Sequence, residues 1–556
     1  MRKEWWHLST AYQIWPKSFQ DSNGDGIGDL PGVISRLDDL AALGIDLIWL
    51  SPVYPSPLAD QGYDISDYQA IDPRFGTMED MDRLIAEARR RGMAVVMDLV
   101  VNHCSDEHEW FRKACADPEG PYGQYFYIRK HAPGAPMPSN WRAYFGESVW
   151  SPLPGHDDYV YLHYFHRKQP DLNWENPALR QEVYRMINWW LDRGIAGFRI
   201  DAIINIKKDL PFRDLPADRP DGLCSIPQPK CVDGVLEFLN EMARETFRKH
   251  DAFSIAELFD TRDEDLGRFI GDEGCFSTIF DFAPEKLGRS PAGVSQRERV
   301  TPDMWRDAML CSQAQAQGVG LLANIIENHD EPRGVSRYIP EGEASDAAKK
   351  MLGGLSLMLR GFPFLYQGQE IGMENMPLTS IDQVDDISTL GEYEELLAEG
   401  YAPQEALALV APYSRDNART PVQWTSGPTA GFTTGTPWTP VNPNASRINL
   451  EAQRKQPDSV WNFYRALIAL RRDPRYQQTL VYGDTEPIWA QESRLMAYLR
   501  HGEHTLLVLG NWRPEPREIL LPSQPQETLL NNLPALSLDG AALRMEGYQF
   551  LVFRMD

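Results

Sequence analysis

Short apolar runs alternate along most of this chain with segments of helical spacing. The apolar runs predict strands near Ala11–Ile14, Asp46–Leu50, Ala94–Val100, Gly197–Ile200, Phe253–Ala256, Thr278–Phe282, Leu321–Ile326 and Pro363–Tyr366. Between and after them, helices are predicted near Gly32–Leu43, Met78–Arg91, Pro177–Arg193, Val232–His250, Asp263–Ile270, Pro302–Ala316, Ser345–Arg360 and Ser459–Arg472. In the third of these, Val183, Met186, Ile187, Trp190 and Leu191 fall on one face. Such an alternation predicts an α/β fold, a (β/α)8 barrel of the TIM type.

Three regions interrupt the pattern. Residues 105–170 form an excursion rich in aromatics, Pro and Gly after the third strand, read as an inserted, loop-rich subdomain. Residues 371–449 form a second excursion after the eighth strand. After Pro474 the pattern shifts to short β runs such as Leu506–Leu509 and Tyr548–Phe553. The expected organisation is therefore a barrel over 1–104 and 171–474, an insert over 105–170, and a C-terminal antiparallel β domain over 475–556. Both excursions leave from C-terminal ends of strands, where the loops of a barrel build its site.

Composition narrows the partners. The 556 residues carry a net charge of −25. So acidic a surface repels nucleic acid and anionic membranes and suits a neutral substrate. The first seven residues lack the apolar stretch of a signal peptide. No run reaches the roughly eighteen apolar residues of a membrane helix. Six scattered cysteines with no CxxC pair read as the reduced thiols of a cytoplasmic protein. Cys224 and Cys231 flank a Pro-rich loop, and their spacing leaves a pairing open. Nothing in the pattern decides between a monomer and a homodimer.

The candidate chemistry lies at strand ends. Gly197-Phe198-Arg199-Ile200-Asp201 closes the fourth strand, with Arg199 and Asp201 on one face. A cation that close favours an ionised carboxylate, fit to act as nucleophile or electrostatic stabiliser; the structural alternative is a buried ion pair. The third strand ends in Asp98-Leu99-Val100-Val101-Asn102-His103, where Asp98 and His103 are each compatible with a purely structural role. Glu257 closes the fifth strand and is a candidate proton donor, because partial burial raises a carboxyl pKa, or else a helix cap. Glu327-Asn328-His329-Asp330 closes the seventh. Asp201, Glu257 and Asp330, with two histidines, thus fall on one face of one barrel. Paired carboxylates of this kind are what glycoside hydrolysis needs, one attacking and one protonating the leaving oxygen. Aromatics such as Tyr63, Phe145 and Phe165 can stack on sugar rings.

Several segments together resemble glycoside hydrolase family 13, the α-amylase family, and within it the oligo-1,6-glucosidase and α-glucosidase branch. They are Gly62–Ile65 (GYDI), Asp98–His103 (DLVVNH), Gln169–Trp174 (QPDLNW), Gly197–Asp201 (GFRID), Ala256-Glu257, Asn328–Asp330 (NHD) and Ser414–Pro421 (SRDNARTP). The resemblance implies an exo-acting, retaining α-glucosidase that takes short α-glucosides such as maltose, isomaltose or sucrose-like oligosaccharides and needs no organic cofactor. It implies that Asp201 is the nucleophile, that Glu257 is the acid and then the base, and that Asp330 stabilises the distorted sugar. It also implies substrate-binding roles for Asp60, Tyr63, His103, Phe145, Phe165, Gln169, Arg199, His329 and Arg415, with Asp60 and Arg415 closing the pocket behind the terminal glucose.

Ala202 follows the nucleophile. In the branch, Val at that place accompanies α-1,6 preference and smaller residues accompany α-1,4, so Ala202 inclines the expectation to maltose-like α-1,4 substrates without excluding α-1,6. Sucrose isomerases, transglucosidases and trehalose-6-phosphate hydrolases share the carboxylates. The Arg-rich loop expected of a sucrose isomerase is not evident. Transporter heavy chains resemble the barrel but carry a membrane helix and lack the carboxylates present here. The loop Asp21-Ser22-Asn23-Gly24-Asp25-Gly26-Ile27-Gly28-Asp29 places oxygen donors at alternate positions, like the start of an EF-hand loop whose twelfth position, Gly32, lacks the usual Glu. Asx turns alone are the alternative. The branch carries a metal on a very similar loop, which implies a structural Ca²⁺ or Mg²⁺ held by Asp21, Asn23, Asp25, the Ile27 carbonyl and Asp29.

Overall fold

The computed structural model describes residues 3–218, 221–226, 234–259, 263–290 and 293–556. Eight strands form one sheet: β1 (Ala11–Ile14), β2 (Leu47–Leu50), β3 (Ala94–Leu99), β4 (Gly197–Ile200), β5 (Phe253–Ala256), β6 (Thr278–Ile279), β7 (Ala323–Asn324) and β8 (Phe362–Tyr366). The order is β6-β5-β4-β3-β2-β1-β8-β7, and a parallel bridge from Phe280 to Ala323 joins the two ends. This is the expected (β/α)8 barrel. Strands such as β2 (LIWL) and β8 (FPFLY) are buried along their whole length, because a barrel strand has side chains on one face in the interior and on the other against the helices.

Capping chemistry sets several helix ends. Asn176 caps Pro177–Arg193, with Pro at its start and Gly194 at φ 109° beyond its end. Thr301, Ser345 and Ser459 cap Pro302–Ala316, Asp346–Leu357 and Val460–Arg472 in the same way. Two helices break where their periodicity runs on. The first breaks at Arg36 into Leu30–Ser35 and Leu37–Leu43; the Arg36 guanidinium turns to Gln20 and the Trp424 ring. The other divides into Val235–Glu245 and Phe247–His250 at Thr246, whose hydroxyl donates to the Met242 carbonyl at 2.6 Å. Its expected start at 232 and 233, like Cys231, lies outside the described residues. Cys104, Cys115, Cys275 and Cys311 are free thiols.

The chain divides into two compact units. One comprises Trp49–Ala86 and Val95–Ile279. It holds β3 to β6 and, in the excursion after β3, an antiparallel sheet of Ile128–Lys130, Tyr159–Leu162 and Trp150–Pro152. Trp141, Trp150, Tyr164 and Phe212 pack beneath that sheet. The other unit comprises Met1–Ile48, Glu87–Ala94 and Phe280–Asp556. It contains β1, β7 and β8, and ends in antiparallel sheets of five and three strands built on Leu507, Leu509, Leu551 and Phe553. Its excursion after β8 contains two helices, Ile387–Ala398 and Pro403–Val410. Among the described residues, no helix is long and apolar enough to cross a membrane.

Candidate active site

The β3–β4–β5 register generates the first cluster. Asp98 pairs with Arg199 across β3 and β4, and Asp201 and Glu257 each continue their strands by one residue. The Asp201 N–H donates to the Leu99 carbonyl and the Glu257 N–H to the Ile200 carbonyl, both at 3.0 Å. Two carboxylates therefore stand side by side at the C-terminal ends of neighbouring strands.

Arg199 is the hub. It is completely buried. Its Nη1 reaches Asp201 Oδ1 at 2.6 Å and Asp98 Oδ1 at 3.0 Å, and its Nη2 lies 2.9 Å from Glu257 Oε1. Glu257 Oε2 accepts the Ala202 N–H at 2.9 Å. Asp98 Oδ2 accepts from the Trp49 indole at 3.1 Å and the Tyr63 hydroxyl at 3.0 Å. Burial pushes Asp98 up to about 6 against the pull of Arg199. It pushes Asp201 upward as well, opposed by Arg199 and helped by Glu257 and Asp98. The expectation that the nearby cation keeps Asp201 ionised is thus corrected: burial and two further carboxyls oppose Arg199. Three carboxyls share one guanidinium, and the charge of Glu257 adds to the burial that raises Asp98 and Asp201.

Beside this cluster, His103 is buried and hydrogen-bonds the Tyr63 carbonyl and the Gln169 amide, at 3.2 and 3.1 Å. Gln169 donates to Asp60 at 3.1 Å. Burial, with the charge of Lys208 adding to it, pushes His103 down to about 3, so the ring is neutral at pH 7. Lys208 is itself anchored to Asp171 at 2.6 Å and Asn102 at 2.8 Å. Phe165 packs on His103 with ring centroids 4.9 Å apart, and Phe145 packs on Phe165 at 6.1 Å. The structure therefore gathers Asp60, Tyr63, His103, Gln169, Phe145 and Phe165 with Arg199, Asp201 and Glu257 in one unit.

His329, Asp330 and Arg415 form a second cluster in the other unit. His329 lies 3.0 Å from Asp330 Oδ2, is held by the Gln13 amide at 2.8 Å and stacks on Trp15. Asp330 Oδ1 accepts from Arg415 at 3.1 Å and Arg419 at 3.0 Å. Arg415 also engages Asp386. The sequence reading did not single out Gln13, Trp15, Arg419 or Asp386. Arg419 lies within the SRDNARTP segment, and Asp386 precedes a helical pattern where a capping acid belongs.

The loop from Asp21 to Asp29 is a chain of Asx turns. Asp21 accepts backbone N–H groups of Asn23, Gly24 and Gly26, and the Thr433 hydroxyl. Asn23 accepts from Asp25, and Asp25 from Ile27. Asp29 accepts from Ser22 and Gly32. Burial pushes Asp29 upward, and the charge of Asp21 adds to it. These are oxygen donors of the kind a hard cation takes, and a cation would relieve that repulsion. Among the described residues, however, no three His, Cys, Asp or Glu side chains are gathered into a metal cluster.

Two carboxylates side by side at the C-terminal ends of barrel strands are what glycoside hydrolysis needs, and the comparisons agree. The family model for the α-amylase catalytic domain matches residues 13–483, and the chain belongs to that family, glycoside hydrolase family 13, in its oligo-1,6-glucosidase and α-glucosidase branch. The chain is 40% identical over 547 residues to the probable oligo-1,6-glucosidase 3 of Bacillus subtilis, covering 96% of each chain. It is 38% identical to the trehalose-6-phosphate hydrolase of the same organism, over 99% of this chain and 98% of that one. The crystal structure of the trehalulose synthase of Pseudomonas mesoacidophila superposes with a TM-score of 0.93 at 37% identity, covering both chains completely.

Proposed function

We propose that this protein is an exo-acting, retaining α-glucosidase that releases glucose from the non-reducing ends of short α-glucosides. The observation that carries the reading is the bridge of Arg199 between Asp201 and Glu257. One guanidinium holding both carboxyls favours the short separation of a retaining pair, about 5–5.5 Å. In this reading Asp201 attacks the anomeric carbon while Glu257 protonates the leaving oxygen. Glu257 then takes a proton from water, which releases glucose with its α configuration retained. Asp330, braced by Arg415, Arg419 and His329, holds the ring hydroxyls in the distorted state. Neutral His103, with Gln169 and Asp60, hydrogen-bonds the terminal glucose, and Phe145 and Phe165 supply apolar surface to the sugar. We place the enzyme in the cytoplasm, in keeping with its free thiols.

Two observations bear on linkage. Ala202 is small and buried beside the carboxylates, which leaves room for an α-1,4 leaving group. The B. subtilis relative is named for α-1,6 cleavage, which favours isomaltose. The reading that accommodates both is a glucosidase acting on the two linkages, tested by initial rates on maltose, isomaltose, sucrose and trehalose 6-phosphate beside starch. Rapid starch cleavage would contradict exo action. Ala202→Val is expected to raise the isomaltose-to-maltose ratio of kcat/KM, on the scale of about 1–3 kcal/mol for a methyl-sized contact. Ala202 has φ 41°, a left-handed conformation that a β-branched residue resists, so the variant should also lose stability. An unchanged ratio in folded protein would remove Ala202 from the linkage argument.

We further propose that the Asp21–Asp29 loop binds a structural Ca²⁺ or Mg²⁺. The cation would offset carboxylate repulsion there and take no part in the chemistry. Removal with EDTA should lower Tm, and added Ca²⁺ should restore it. A Tm indifferent to both would leave the loop as Asx turns alone.

A further inference from the structure

Arg415 is held from behind by a carboxylate that also caps a helix. Asp386 is buried, with a relative exposure of 1%. Its Oδ1 accepts from Arg415 Nε at 2.8 Å, lies 2.6 Å from Arg415 Nη2 and accepts the Ser388 N–H at 3.1 Å. Its Oδ2 accepts from the Thr389 N–H at 3.3 Å and hydroxyl at 2.6 Å, capping Ile387–Ala398. The loop is pinned in turn, because Asp416 Oδ2 accepts the N–H groups of Asp385 and Asp386 at 2.7 and 3.0 Å. Burial pushes Asp386 upward, but Arg415 and Arg419 more than reverse this and hold it well below the usual carboxylate range. Arg415 has one edge on this fixed anion and presents Nη1 to Asp330 at 3.1 Å.

We infer that Asp386 is a positioning residue, which aims the Arg415 guanidinium so that substrate meets it already oriented. The excursion after β8 thus has a defined task, since the N-terminus of its helix fixes the carboxylate that fixes the arginine. The geometry explains why an acid stands here rather than another capping residue. Five donor contacts converge on its two oxygens, and an amide offers only one oxygen. A planar guanidinium held along one edge loses little freedom when the other edge engages a ligand.

The inference rests on the proposed substrate-binding role of Arg415, and the test separates the two. KM and kcat on maltose are measured for the full-length protein, Asp386→Asn, Arg415→Ala and the double variant, with Tm for each. Asn keeps one capping oxygen of the two, so Asp386→Asn should lower Tm by a few degrees but stay folded at the assay temperature. KM should rise about tenfold with a smaller change in kcat, and Asp386→Asn should add nothing in the Arg415→Ala background. Equal effects of Asp386→Asn in both backgrounds would show a structural role and overturn the inference. So would a normal KM for Asp386→Asn when Arg415→Ala raises it. If Arg415→Ala leaves KM unchanged, the binding role of Arg415 falls, and the inference with it.

Discussion

Replacing Asp201 with Asn lowers kcat/KM on short α-glucosides by roughly 10⁴-fold or more. A carboxylate can form a glycosyl ester, and an amide at the same place cannot. The substitution keeps the size of the side chain and an oxygen for Arg199 Nη1. It removes one of the three carboxyls crowded on that guanidinium. Like-charge repulsion falls, so the variant should fold normally and melt no lower than the wild type. Loss of activity with loss of fold would say nothing about mechanism, which is why Tm is measured alongside the rate. A folded Asp201→Asn enzyme that keeps a tenth of the wild-type rate would refute the assigned nucleophile.

The second large effect depends on the leaving group. Glu257→Gln should cost about 10²–10⁴-fold on maltose, where the departing alcohol needs a proton. On α-glucosyl fluoride, whose leaving group needs none, glucosyl transfer to Asp201 should be far less impaired. The return step, in which water must lose a proton, remains slow, so the variant should accumulate glucosyl-enzyme and show a burst. An equal loss in the glucosylation step, read from the burst, on both substrates would deprive Glu257 of the acid role. Gln can still accept the Ala202 N–H that Glu257 Oε2 accepts now, so the local backbone should hold.

What the sequence made legible follows physical type. Periodicity placed the barrel because its strands are short, apolar and buried throughout; β1, β4 and β5 fall where the pattern puts them. Strand-end position pointed to Asp201 and Glu257, and the structure sets them side by side at the ends of β4 and β5. Periodicity could not see the break at Arg36, nor the one at Thr246, whose hydroxyl bonds back to the Met242 carbonyl and competes with the helix. Nor could it weigh Asp98, whose importance comes from facing Arg199 across a strand pair rather than from its neighbours in sequence. Asp386 went unread for the same reason: its partner lies 29 residues along the chain. The roles of the site residues came instead from the family's motifs, and linkage preference, which turns on one methyl-sized contact at Ala202, was legible in neither.

Double displacement through Asp201 is tested most directly by the anomer of the first glucose released. Proton NMR during the opening minutes of hydrolysis, before mutarotation, should show α-glucose appearing first, with the β anomer following only as the sugar equilibrates. Initial release of β-glucose would mean a single inverting displacement and would contradict the assignment of Asp201 as a covalent nucleophile.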